Sequence, residues 1–281
     1  MTIVDAGAKD PLLRAVQQGV RVYDLGRPLR IGMPQSPNHP PYWHTLPRRH
    51  GDMVRGDGGS AANDLITMGT HVGTHIDALA HVSHDGLLHD GSDAAAASRG
   101  GRFLHLGVHT IAPIVRRAVL LDVPRAIGAG ASCEPGYEIT AADLETTVSR
   151  QGTPLDEGDV VLIRSGWGPR FSDEDPACYV GGASGVPGIG EEGAGWIAAH
   201  GVHAAGADTI AFERLAPGAG HGLLPAHRVL LVEHGIYIIE ALDLESPAAD
   251  RIHEFLFVLS PLALVGATGS PVRPLGIVTH G

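Results

Sequence analysis

Short runs of consecutive apolar residues, rich in Val, Ile, Leu and Ala, recur along the chain and end at Gly, Pro, Asp, Ser or Glu. These runs are too short for typical helices and contain many β-branched residues, so the pattern predicts buried strands. A further strand is predicted after a short N-terminal helix at residues 10–19. The predicted strands are residues 20–25, 118–123, 159–165, 207–212, 235–240 and 255–259.

Helical patterns lie between these runs. Thr140 and Asp143 have the spacing of a capping box, which predicts a helix that continues to Ser149. A second helix is predicted at residues 190–200, before Gly201, whereas the Gly-rich residues 181–190 are expected to form a loop. Strands that alternate with helices predict an α/β or α+β fold.

The length and the composition narrow the class of protein. The 281 residues are consistent with one large domain, residues 1–281, and the sequence shows no linker or internal repeat. The formal charge is −11 and no cluster of Lys and Arg occurs, so we expect no nucleic-acid partner. The longest apolar stretch, residues 255–265, is interrupted and is too short to cross a bilayer, which takes about 20 residues.

Other features indicate the compartment. The first ten residues lack the apolar core of a signal peptide. Cys133 and Cys178 lie far apart and form neither a disulfide framework nor a C-x-x-C pair. We therefore expect a cytoplasmic protein without a membrane partner.

Histidine is the unusual component, with 17 residues against 20 Lys plus Arg. Three of them share one short segment with a carboxylate: His71-Val-Gly-Thr-His75-Ile-Asp77-Ala-Leu-Ala-His81. In an extended chain all four side chains would point to one side, and a turn at Gly73 would also let them converge. Neutral imidazole together with carboxylate suits a divalent ion such as Zn²⁺ or Mn²⁺.

An isolated H-x-x-x-H pair is more often a coincidence or a surface pair than a metal site. Three histidines and an aspartate among apolar neighbours are harder to explain in that way, because such groups are expensive to bury unless they are paired or bound to metal. The segment therefore predicts a metal site.

The motif H-x-G-T-H-x-D-x-x-x-H resembles the signature of the cyclase family of metal-dependent hydrolases, which includes bacterial kynurenine formamidase (arylformamidase) and isatin hydrolase. The resemblance extends along most of the chain. It includes residues 32–37, which resemble the substrate loop of the family, and residues 159–167, 206–209 and 227–242.

The resemblance implies a swivelling β/β/α fold, a homodimer or homotetramer, and one or two ions, Zn²⁺ as in arylformamidases or Mn²⁺ as in isatin hydrolase. It makes His81 the catalytic acid and base. The metal ligands that it implies are His71, His75, Asp77, His227 and Glu240. The spacing of the last two is one residue longer than expected, so His221 and Glu233 are alternatives.

Two positions depart from the arylformamidase pattern. Leu79 stands where those enzymes have proline, and Ser36 stands where they have a tryptophan that stacks on the substrate. Tyr42 and Trp43 follow the Pro-rich loop and could supply an aromatic wall, so we expect them to bind substrate together with Ser36. These departures argue against N-formylkynurenine as the substrate.

The sequence therefore predicts a hydrolase that cleaves an amide, lactam or ester bond of a small molecule with metal-activated water. The first alternative is a metal-dependent lyase or cyclase that removes water from its substrate. The second alternative is a metal-binding protein without catalytic activity.

Overall fold

The computed structural model describes residues 10–279. Its strands are β1 (Val20–Asp24), β2 (Trp43–Arg48), β3 (Asn63–Thr67), β4 (His75–Asp77), β5 (Ser98–Arg99), β6 (Arg102–Phe103), β7 (Ile114–Asp122), β8 (Glu138–Ile139), β9 (Val160–Arg164), β10 (Gly188–Ile189), β11 (Ala204–Ala207), β12 (Tyr237–Glu240), β13 (Glu254–Leu259), β14 (Gly269–Pro271) and β15 (Leu275–Thr279).

The helices are short and lie between the strands. They are α1 (Pro11–Gln18), α2 (Ala94–Ala97), α3 (Val123–Ile127), α4 (Ala141–Gln151), α5 (Ala177–Val180), α6 (Glu191–Ala199), α7 (Pro225–His227) and α8 (Glu245–Ala249). Two 3₁₀ turns cover Val108–Thr110 and Gly168–Ser172, and a π-helical turn, Arg228–Glu233, continues α7.

A mixed nine-stranded sheet organises the fold, with the order β1-β15-β13-β7-β9-β11-β12-β4-β14. The four central strands, β7, β9, β11 and β12, are parallel. The outer strands run antiparallel to their neighbours on both sides of this centre. Because the central strands are parallel, their carboxyl ends, including the end of β12 at Glu240, meet at one edge of the sheet.

Both faces of the central strands are buried, which explains why their sequences are continuous apolar runs. On β7, Val119 and Leu121 pack on one face with residues of α4 and α6, whereas Ala118 and Leu120 pack on the other face. A third cluster packs around Trp167 and lies under the loops beyond the carboxyl ends of the strands.

Most of the predicted elements are present. The helix predicted from Thr140 is α4, and both hydrogen bonds of its capping box, between Thr140 and Asp143, are formed. The helix predicted at residues 190–200 is α6, and the predicted loop at residues 181–190 contains only the two-residue strand β10.

The strand predicted at residues 207–212 is wrong. Strand β11 ends at Ala207, and the next residues turn toward the loops. Asp208 accepts hydrogen bonds from the backbone N–H groups of Ser165 and Gly166, and Phe212 has a φ of 58°. Ile210 and Ala211 are apolar because they pack in the cluster around Trp167, and Phe212 because it packs in the core with Val119 and Leu121, and not because these residues belong to the sheet.

Among the described residues, no helix is long and apolar enough to cross a membrane.

Candidate metal centre

The motif becomes a turn followed by a strand. Gly73 has a φ of 69°, which turns the chain between His71 and β4. His75 and Asp77 lie two residues apart on β4, so both side chains point to the same face, and both are buried. A second turn, closed by a 2.9 Å hydrogen bond from the backbone N–H of His81 to the carbonyl of Ala78, brings His81 back to that face.

Two residues from the later part of the chain complete the cluster. Strand β12 pairs antiparallel with β4, and this register places Glu240 opposite His75. His227, the last residue of α7, is buried beside them. The structure thus brings all six predicted metal and acid–base residues together, namely His71, His75, Asp77, His81, His227 and Glu240.

The donor atoms of four of these residues have the spacing of a metal site. The Nε2 atom of His75 lies 3.4 Å from an oxygen of Asp77 and 3.4 Å from an oxygen of Glu240. The Nε2 atom of His227 lies 3.5 Å from Asp77 and 3.3 Å from Glu240. The two histidines approach different oxygens of each carboxylate, His75 near Oδ1 and Oε2 and His227 near Oδ2 and Oε1. Each distance by itself falls in the range of about 3.3–3.6 Å that separates two tetrahedral ligands at about 2.0–2.2 Å from one ion.

A second possible group shares the same aspartate. His71, Asp77 and His81 offer donor atoms within 4.8 Å of one another. The His71 and His81 rings stack at 3.8 Å, and Nδ1 of His71 lies 2.6 Å from Asp77 Oδ1. His81 therefore lies within reach of an ion as well as of a substrate, and its predicted role as acid and base stays a prediction.

Hydrogen-bond contacts fix the orientation of three of the imidazole rings. The Nδ1 atom of His75 lies 2.8 Å from the carbonyl oxygen of Gly73, and Nε2 of His71 lies 2.8 Å from the hydroxyl of Thr268. The Nδ1 atom of His227 lies 2.6 Å from a carboxylate oxygen of Glu213. Such contacts set which ring nitrogen faces the ion.

Glu213 is a functional candidate that the sequence interpretation missed. Its buried carboxylate also accepts hydrogen bonds from the backbone N–H groups of Ala226 and His227, at 3.1 and 3.2 Å. Its backbone lies so close to Gly188 that a Cβ atom there would collide with it. No motif marks Glu213, because it follows an apolar run in which a strand was predicted.

Burial and the neighbouring charges shift the pKa values of several residues in the cluster. Burial opposes the charged form of His75, but the hydrogen bond and charge of Asp77 and the charge of Glu240 outweigh it and raise the pKa of His75 to about 9. Burial would raise the pKa of Asp77, yet the neighbouring imidazoles hold it well below its usual range. Burial lowers the pKa of His81 to about 3, against the charge of Asp77.

The residues present fit a divalent cation. Among residues 10–279, no group donates a hydrogen bond to the buried Oδ2 atom of Asp77. Its contact with Nε2 of His227, at 3.5 Å, is too long for a good hydrogen bond. A buried ionised oxygen without a donor is costly, and a cation between the two carboxylates would remove that cost. Two carboxylates and several imidazoles suit Zn²⁺ or Mn²⁺.

A cavity of about 180 Å³ opens onto the cluster. Its lining includes His81 and the predicted substrate residue Ser36, as well as His39, which stacks on His71 at 5.3 Å. The lining combines polar groups of the Pro-rich loop with apolar side chains: Gln35, Ser36 and Asn38 together with Phe171, Ile210 and Leu224.

The remaining candidates lie elsewhere. His221 lines the cavity but belongs to neither group of possible ligands. Glu233 is exposed and pairs with Arg228 at 3.0 Å, so it does not replace Glu240. The structure does not bring Tyr42 or Trp43 to the cavity, because Tyr42 packs against the cluster around Trp167 and Trp43 is 57% exposed on β2. Neither residue lines the cavity, and their predicted contact with substrate stays a prediction.

Comparison with known proteins identifies the family. Residues 23–214 match the family described as "Putative cyclase", which is more than half of the chain. The chain belongs to this cyclase family. The match includes the whole His71–His81 motif and Glu213, and it ends before His227 and Glu240.

Relatives of this cyclase-family chain agree with that assignment. Cyclase-like protein 3 of Oryza sativa subsp. japonica is 29% identical over 222 residues, which cover 77% of this chain and 66% of the rice protein. A crystal structure of a novel cyclase is 30% identical, with a TM-score of 0.82 over 95% of this chain and 93% of that one. The predicted family and the α+β fold class are confirmed.

Isatin hydrolase A from Ralstonia solanacearum also has this fold. It is 24% identical to the cyclase-family chain, with a TM-score of 0.73 over 98% of this chain and 100% of its own. At this identity the similarity shows the fold alone.

Proposed function

We propose that this protein is a metal-dependent hydrolase that cleaves an amide, lactam or ester bond of a small molecule. The observation that carries the proposal is the set of donor atoms around Asp77, spaced at 3.3–3.5 Å at the base of a cavity. A structural metal site has no need of an open cavity, whereas a catalytic site keeps a position free for water or substrate.

His75, Asp77, His227 and Glu240 would hold one divalent ion, Zn²⁺ or Mn²⁺, and water or substrate would enter on the side of the cavity as a further ligand, because such ions can expand from four to five ligands. A second ion would lie at His71 and Asp77, beside His81. When bound, such an ion acidifies water and polarises a carbonyl group.

His81 has the properties of a general base. It lines the cavity, and burial lowers its pKa to about 3, so its ring is neutral near neutral pH; because so low a pKa makes a weak base, the position of His81 and not its pKa supports the role. The stack of His81 on His71 fixes the direction of the ring. In the proposed reaction His81 accepts a proton from water and returns it to the leaving nitrogen or oxygen, a contribution of about 10²–10⁴ in rate.

The mixed lining of the cavity supports a small substrate that has both polar and apolar groups. The side chains of Gln35 and Asn38 can hydrogen-bond a carbonyl or amide group, and Phe171 offers an apolar surface. The similarity to isatin hydrolase A, whose named substrate is a lactam, supports a cyclic or simple amide as the first choice. Ser36 offers no stacking surface, which favours such substrates over N-formylkynurenine.

The experiment is a screen of small amides, lactams and esters with protein loaded separately with Zn²⁺ and Mn²⁺. Mass spectrometry of the products distinguishes the reactions, because hydrolysis adds one water to the substrate and dehydration removes one. A product that has lost water would support the lyase or cyclase alternative. Turnover that persists in the Asp77→Ala variant would refute the proposed site.

We also propose that the chain forms a homodimer or homotetramer. The hairpin of β2 and β3 is exposed along almost its whole length, although it carries Trp43, Leu46, Leu65 and Ile66. An isolated two-stranded hairpin is marginally stable in water, so this one gains stability if a second copy covers it. Sedimentation of wild type and of the Trp43→Ser variant tests this, and a monomeric wild type would refute it.

A further inference from the structure

A second cavity, of about 260 Å³, lies beside the carboxyl end of β7. Arg125, Arg150 and Arg251 line it together with His253 and Asp122. It shares no lining residue with the cavity at the metal centre. Asp122 ends β7 at the same sheet edge as Glu240, three strands away, which is about 14 Å at the usual strand spacing.

The charge around this second cavity is opposite to that of the whole chain. Three guanidinium groups face one carboxylate, in a protein with a formal charge of −11. That carboxylate is already engaged, because Oδ1 of Asp122 accepts a 2.8 Å hydrogen bond from Arg164. Its other oxygen, Oδ2, lies 3.3 Å from Nε of Arg125 in an ion pair, although among the described residues it accepts no hydrogen bond. The cavity therefore has an excess of positive charge that nothing in its lining neutralises.

Two of the arginines have a structural explanation of their own. Arg125 and Arg150 lie in the last turns of α3 and α4, where a cation interacts favourably with the helix dipole. Arg150 also donates a hydrogen bond to the carbonyl of Ala126, at 2.6 Å. These two residues alone would not indicate a ligand.

Arg251 and His253 are not explained in this way. Arg251 lies outside the helices, its backbone has a φ of 57°, and within residues 10–279 its guanidinium group makes no hydrogen bond or ion pair. The Nδ1 atom of His253 is buried, and among the described residues it has no hydrogen-bond partner. Arg251 is exposed, so water can hydrate its guanidinium group, whereas the buried Nδ1 atom of His253 calls for a hydrogen-bonding ligand; an unengaged cation and an unpaired buried ring nitrogen thus lie at one cavity.

We propose that this second cavity binds a compact dianion of the phosphate class, either inorganic phosphate or the phosphate group of a small metabolite. A tetrahedral dianion presents acceptor oxygens in several directions, which suits guanidinium groups that approach from three separate segments of the chain. The ligand would neutralise the excess charge and satisfy both unpaired groups.

Isothermal titration of the metal-loaded protein with inorganic phosphate, at constant ionic strength, tests the site. The Arg251→Gln variant removes the unpaired cation, and Arg99→Gln is the control, because it removes the same charge at an exposed position outside the cavity. We expect saturable binding to wild type and the control, and binding at least tenfold weaker in Arg251→Gln. If that variant does not fold, Arg125→Gln is measured in its place.

Other outcomes are equally informative. The proposal is overturned if wild type shows no saturable phosphate binding. It is also overturned if Arg251→Gln binds phosphate as well as wild type does, because phosphate would then be bound elsewhere, for example at the metal centre. Methyl phosphate that binds as well as inorganic phosphate would identify a metabolite phosphate group as a ligand. Succinate that binds where neither phosphate compound does would overturn the phosphate class.

Discussion

The hydrogen bond from His227 to Glu213 can be tested without changing any proposed ligand. In the Glu213→Gln variant the side chain keeps its length and one acceptor oxygen, which at the position of Oε1 can still accept from the backbone N–H of His227, whereas the N–H of Ala226, which donates to Oε2, has no acceptor there. What is lost is the negative charge that strengthens the 2.6 Å contact with Nδ1 of His227. A hydrogen bond to a charged group contributes about 1–1.5 kcal/mol more than a neutral one.

This difference corresponds to about a tenfold loss of metal affinity, at the low end of the 10–100-fold range that is typical of such supporting residues. Metal affinity is measured by competition with a chromophoric chelator. Thermal unfolding of the metal-free variant is measured separately, since a merely structural role would lower stability without weakening metal binding. Metal affinity equal to that of wild type would refute the reasoning.

The matched control is Asp159→Asn. Asp159 is also a buried carboxylate, bonded to Arg117 and to the backbone N–H of Asp156, but it precedes the first residue of β9, at the sheet edge opposite the metal centre. We expect this variant to lose stability and to keep its metal affinity. Weakened metal binding in both variants would indicate a general effect of destabilisation.

Three further predictions follow from the burial and charges of individual groups. His81→Ala should retain metal, by elemental analysis, and lose about 10²–10⁴ in kcat; parallel loss of metal would make His81 a ligand. In the metal-free protein the pKa of His75 is raised from 6.5 to about 9. The contribution of charged His75 to the free energy of unfolding is therefore complete below pH 6.5 and is lost as the pH rises toward 9. Melting temperatures should fall over that interval while metal affinity rises, and a melting temperature that does not change would contradict the assignment. Burial raises the pKa of Cys133 from 9.0 to about 12, which lowers its thiolate fraction about a thousandfold. A thiol reagent should therefore label only the exposed Cys178 until the protein unfolds. Rapid labelling of both thiols in the native protein would show that Cys133 is accessible.

Sequence patterns predicted the parts of the fold that depend on local chemistry. The capping box of α4 and the apolar runs of β7, β9 and β13 are each specified by a few adjacent residues. Residues 207–212 misled the interpretation, because apolar composition reports burial and does not distinguish a strand from a buried turn.

The part of the site that lies in one short segment could also be predicted from local sequence, whereas the distant residues could not. The segment from His71 to His81 is compact in sequence, so its convergence could be expected from spacing. The positions of His227 and Glu240 came from the family resemblance, and the structure places them by the register of β12 against β4. Glu213 has no such marker, because its importance arises only from a contact with His227 that the tertiary fold creates.

The register that pairs β4 with β12 and β14 also dictates when the metal centre can exist. Strand β4 belongs to the first third of the chain, yet both of its neighbours in the sheet come from the last quarter. During synthesis, the histidines of the motif and Asp77 cannot form the complete centre until β12 and β14 have emerged from the ribosome. An ion that bridges Asp77 and Glu240 would then close a loop of more than half the chain, a cross-link of the kind that most restricts an unfolded polypeptide. Loading of the ion would thus be a late event in biogenesis, and a prematurely terminated chain that lacks Glu240 would have no complete centre to load.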